Sequence, residues 1–123
     1  MIRNRNNVSS FITKDRSKIW ELFHPSSSPA NGFSVAEALV EPGQETDAHR
    51  HILSQEIYYI LEGTGKMRVD KELSDVSAGD AVFMKPGMAH NVKNTGSGPL
   101  RILCICCPHY SHEDTVLVKT QKI

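Results

Sequence analysis

Apolar and polar positions alternate in short runs through the middle of the chain, and clusters of glycine, proline, serine and asparagine separate the runs. The breaks fall at HPSSSPANG (24 to 32), EPGQ (41 to 44), EGTG (62 to 65), SAGD (77 to 80), KPGM (85 to 88) and NTGSGP (94 to 99). A turn signal roughly every 8–12 residues predicts an all-β sandwich or barrel. Between the turns, Ser34–Val40, Ile57–Leu61, Gly65–Asp70, Ala81–Met84, Asn91–Lys93 and Arg101–Cys106 are rich in β-branched, aromatic and apolar residues and are expected as strands. Thr115–Lys119 offers a final edge strand. Near the start, Ile19, Leu22 and Phe23 stand at helical spacing behind Asp15 as a cap, so Asp15–Phe23 reads either as a short helix or as an extended arm.

A length of 123 residues suits one hydrophobic core. The expected organisation is an N-terminal arm or short helix over 1–32, packed on a β-barrel domain over 33–123. Fourteen basic residues balance fourteen acidic ones, which removes the electrostatic grip of a nucleic-acid binder or a membrane-surface protein and leaves a small molecule as the expected partner. MIRNRNNVSSF lacks the apolar segment of a signal peptide, and no run is long enough to span a bilayer, so a soluble, cytoplasmic protein is expected. Cys104, Cys106 and Cys107 crowd into RILCICCP, where strand neighbours cannot supply a disulfide framework. They read as reduced, buried small hydrophobes; a zinc role is the sharper alternative, but C-x-C-C is not a usual finger spacing.

The stretch AHRHILSQEIYYILEG (Ala48 to Gly63) carries the candidate chemistry. On a strand, His49 and His51 point the same way, roughly 6.5–7 Å apart, so both imidazoles can converge on one ion while Arg50 points away. A chain turning back after Ser54 and Gln55 brings Glu56 in from the neighbouring strand. An H-x-H pair alone is a weak signal among six histidines. The frame around it is more specific: Gly43, His49, His51, Glu56 and Gly63, then Gly79, Gly87, His90 and Asn94.

These two frames resemble the two conserved motifs of the cupin family, small jelly-roll β-barrels, and "CPHYSHEDT" with "IYYILEGTG" is similar to a stand-alone, isomerase-like subgroup. One departure is Lys85, where the second motif usually has proline. The resemblance implies a single-domain cupin barrel and assigns His49, His51, Glu56 and His90 as ligands of a divalent transition metal. Three imidazoles and one carboxylate leave such an ion near +1, with open positions if it is octahedral. That set suits iron, manganese, nickel, copper or zinc.

Parity from Glu56 places Tyr58 and Ile60 on the ligand face and Ile57, Tyr59 and Leu61 on the other. Tyr58 is thereby a candidate catalytic residue, with simple packing as the alternative. The outer apolar row asks for a cover, either a second subunit in a homodimer or the N-terminal arm. Met67 and Val69 are expected inside, whereas either face of Ile102–Cys107 fits the interior. His24, His109 and His112 fall outside the frames and read as solvated. The first functional reading is a metal-dependent enzyme with oxygenase-type chemistry on a small carbonyl or enol substrate. The alternatives are a sugar isomerase or epimerase, and a non-catalytic binder of a small ligand.

Overall fold

The computed structural model describes residues 1–123. A 3-10 turn at Arg5–Asn7 precedes eleven strands: β1 (Phe11–Ile12), β2 (Lys18–Phe23), β3 (Ser34–Val40), β4 (His49–His51), β5 (Gln55–Glu62), β6 (Thr64–Val69), β7 (Glu72–Ser77), β8 (Ala81–Met84), β9 (His90–Asn94), β10 (Leu100–Cys107) and β11 (Thr115–Leu117). They form two antiparallel sheets, ordered β1-β2-β3-β10-β5-β8 and β11-β4-β9-β6-β7. The all-β architecture expected from the turn spacing and the jelly-roll barrel implied by the resemblance are therefore both observed.

Strand alternation decides what lies between the sheets. Tyr58 and Ile60 of β5, Ile102 and Cys104 of β10, Met67 of β6, Met84 of β8 and Val92 of β9 belong to one buried cluster. The Ile102, Cys104 and Cys106 face of β10 is the interior one, which settles the two options left by sequence. Cys107 is exposed, contrary to the expectation that all three cysteines are buried: it ends β10 on the outward parity.

Asp15–Phe23 is not a helix. Lys18–Phe23 is strand β2, paired with β3, and the pairing register shifts between Glu21 and Phe23. That irregularity breaks the two-residue period and gives Ile19, Leu22 and Phe23 their misleading spacing. Strand β7 was not foreseen because its sequence, ELSDVS, buries only Val76 and borders the sheet. β11 stops at Leu117, short of the expected Lys119.

Two turn residues of the frames hold the ends of the barrel together. Gly63 has φ +91°, and a Cβ there would collide with the Pro99 carbonyl oxygen, so only glycine fits. Asn94 is buried and donates through Nδ2 to Val40 O and Gly98 O, both at 2.8 Å, while its Oδ1 accepts from Gly96 N at 2.9 Å. It ties β9 to β3 and to the loop entering β10.

Ile57, Tyr59 and Leu61 lie on the outer face, each 38–39% exposed, beside Phe83 of β8. The arm does not cover them, since β1 and β2 occupy the opposite edge of that sheet.

Candidate metal centre

His49 and His51 come from β4, His90 from β9 and Glu56 from β5. His49 pairs directly with His90 across the β4–β9 ladder, and their ring centroids lie 4.3 Å apart. All four side chains are buried, and one donor atom from each lies within 4.8 Å of the others. The four residues that the family resemblance assigns as ligands therefore meet at one point and can hold a metal ion.

The orientation of each ring is fixed from behind. His49 Nδ1 faces Asp47 O and His90 Nδ1 faces Met88 O, both at 3.1 Å. A carbonyl can only accept, so each Nδ1 carries the proton and each Nε2 is directed inward. His51 Nδ1 lies 3.2 Å from Thr115 Oγ1, whose own proton goes to Ser111 O at 2.8 Å. The hydroxyl must then accept from His51, which sets the same tautomer. Oriented imidazoles backed by an oxygen are the arrangement that metal-binding histidines require.

Glu56 Oε1 sits 3.1 Å from His51 Nε2 and 3.2 Å from His90 Nε2, so positive charge is needed between them. Burial alone would raise the Glu56 carboxyl, but the hydrogen bonds and charge of His51 and His90 outweigh it and hold it well below the usual carboxylate range. Burial lowers His90, yet Glu56 more than offsets this and His90 is raised overall. His49 is lowered, first by burial and then by the neighbouring His90. A divalent cation meets the same demand for positive charge that protons meet here, and the donor set fits the ion.

Behind the carboxylate, Cys106 Sγ donates to Glu56 Oε2 at 3.1 Å. Burial, and then the charge of Glu56, push the Cys104 and Cys106 thiols up. No cysteine belongs to the group of converging donors, which disfavours the zinc-thiolate alternative. A cavity of about 50 Å³ adjoins the donors; His49, His51, Glu56, Tyr58 and Cys104 line it. Tyr58 is buried with its ring edge-on to His90, 5.6 Å between centroids, and burial raises its phenol well above the ordinary range.

Several neighbours of the centre were not legible as such. Asp15 read as a helix cap, yet it is buried in the cavity wall, and Tyr110 joins it there. Thr115 and Cys106 touch the ligands from strands distant in sequence, and no local pattern signals that. Of the remaining histidines, His24 is bound to Tyr110 O and Ser26, and His109 stacks edge-on against it. Asp114 caps the loop after β4 through Leu53 N and Ser54 N. Arg50 is exposed, as parity requires.

The cupin domain family matches residues 36–106. An uncharacterized protein of Methanocaldococcus jannaschii is 46% identical over 112 residues, covering 91% of this chain and 90% of that protein. The oxalate-binding protein of Thermotoga maritima is 34% identical over 70 residues, 57% of this chain and 58% of that protein. The crystal structure of a predicted oxalate decarboxylase from Thermotoga maritima superposes with a TM-score of 0.78, at 24% identity, over 88% of this chain and 99% of that one. At that identity the likeness speaks for the fold alone. The chain belongs to the cupin family.

Proposed function

We propose that this cupin binds one divalent transition-metal ion through His49, His51, Glu56 and His90 and is a metal-dependent enzyme acting on a small carbonyl or enol substrate, with oxygenase-type chemistry. The observation that carries the reading is the convergence of four buried donors, three with fixed tautomers, beside a cavity. A bound ion would supply Lewis-acid polarisation or oxygen activation. The chain's own residues would orient and enclose the substrate: Phe11, Ile19, Ala36 and Ala38 give the cavity an apolar side opposite its polar groups, and Tyr58, which also lines it, would donate a hydrogen bond to a substrate oxygen.

The sugar isomerase or epimerase alternative is disfavoured for a phosphorylated sugar, because no lysine or arginine lines the cavity and a phosphate needs one. Non-catalytic binding of a small oxygen ligand is the second reading, favoured by the identity with the oxalate-binding protein.

Metal analysis of protein purified without added metal, followed by oxygen uptake against 1,3-dicarbonyl and catecholic compounds, separates the two. Metal with turnover supports the enzyme; metal with binding but no turnover leaves the binder. His51→Ala should lose stoichiometric metal while keeping the β-sheet circular dichroism. Full metal content in that variant would sink the assignment.

A further inference from the structure

The hairpin of β1 and β2 carries a second carboxylate to the cavity, and the metal set does not use it. Asp15 is 6% exposed and lines the cavity wall. Its Oδ1 accepts from Thr13 Oγ1 and Ser17 Oγ, both at 2.7 Å, and from Ser17 N at 3.1 Å. These three bonds complete the turn with one oxygen. Oδ2 is not required by the turn: it lies 3.6 Å from His49 Nδ1, whose hydrogen bond goes to Asp47 O.

The hairpin tip is clamped. Asp47 N donates to Asp15 O at 2.9 Å, Arg16 makes two bonds of 2.8 Å to the Asp47 carboxylate, and Lys14 Nζ reaches His112 O and Thr115 O. Both nearby cations are thus spent on the outside of the loop. Inside, the cavity holds Asp15, Glu21 and Glu56 and no lysine or arginine. A divalent ion with Glu56 carries +1, Asp15 brings the sum to zero, and the half-buried Glu21 brings it to −1. A dianion would then leave the site at −3, with the Asp15 carboxylate in the same cavity wall and in a poorly screened setting.

We infer that Asp15 determines specificity in this cavity: it disfavours dianions and selects a neutral or singly charged oxygen ligand that presents an N–H or O–H donor to Oδ2. The inference rests on the metal reading above.

Oxalate and oxamate test it, since they share a shape while oxamate has one charge fewer and an added N–H donor. Each is titrated by calorimetry into metal-loaded wild type and Asp15→Asn, with metal content and melting temperature recorded for every sample. Asp15→Asn should bind oxalate at least tenfold more tightly, with oxamate gaining less or weakening. Asp15→Ser gives the same comparison if the amide variant fails to fold, and Asp15→Glu should retain the wild-type preference. Equal factors for both ligands would make Asp15 a mere support for His49 and overturn the inference. Stoichiometric metal with unchanged selectivity defeats Asp15 alone, whereas wild type without metal defeats the reading beneath it.

Discussion

Thr115→Val is the substitution that most directly probes how the centre is built. The two side chains have nearly the same shape, so β11 keeps its packing and its pairing of Thr115 with His51. The hydroxyl is lost at a position only 3% exposed. His51 Nδ1–H then faces a methyl group in a dry interior, and Ser111 O loses the donor it held at 2.8 Å. An unsatisfied buried donor costs about 1–3 kcal/mol. The imidazole escapes part of that by turning, or by moving its proton to Nε2 where the metal should bind. Either response weakens the metal, and loss of such a partner is worth about 10–100-fold in affinity. Competition against a chromophoric chelator, with zinc or manganese, measures the change at fixed pH. A dissociation constant within about twofold of wild type, in a folded variant, would refute the reasoning that Thr115 sets the His51 tautomer.

Tyr58→Phe should keep metal and fold while weakening ligand binding or turnover by about 1 kcal/mol or more, the scale of one buried hydrogen bond; unchanged kinetics would leave Tyr58 a packing residue. Light scattering should give about twice the chain mass, because the row Ile57, Tyr59, Leu61 and Phe83 stays open in a single chain; Tyr59→Glu should yield a folded monomer, and a monomeric wild type would rule the dimer out. Metal affinity should fall as pH is lowered from about 8 to about 6, since protons compete for the imidazoles around an ordinary value of about 6.5. The raised His90 makes that competition begin at higher pH than a free imidazole would. In metal-depleted protein the sign for His90 alone is opposite: its contribution to stability is present at low pH and lost as pH rises through its folded value. Urea midpoints across the same range, with and without metal, separate the two effects.

Part of the centre was legible because its information is local and periodic. H-x-H on a strand and Glu56 after a short turn follow from the alternation of side chains, whereas His90 enters only through the resemblance of the second frame to the cupin motif. The same alternation placed Tyr58 inside and Tyr59 outside. Elements without that periodicity were missed. β7 is an edge strand made mostly of polar, exposed residues, and β2 carries a register shift that counterfeits a helix. Asp15 was hidden for a different reason. Its neighbours Thr13 and Ser17 are those of an ordinary turn, and only the tertiary fold reveals that the turn closes over His49.

The distribution of donors across the fold also ties metal to stability. His49, His51 and His90 belong to the five-stranded sheet, and Glu56 belongs to the six-stranded one. An ion held by all four therefore bridges the two layers at the end of the barrel where the β1–β2 hairpin and β11 meet. The apolar cluster of Ile60, Met67, Val92 and Leu100 secures the layers elsewhere, so metal-depleted protein should stay folded. Around the donors, polar groups replace that apolar packing: Asp15, Thr115, Glu56 and the imidazoles are all buried. Such groups are costly in a dry interior unless each is paired. Positive charge at the centre satisfies Glu56, the backbone carbonyls and Thr115 satisfy the outer ring nitrogens, and one oxygen of Asp15 remains for a ligand to meet.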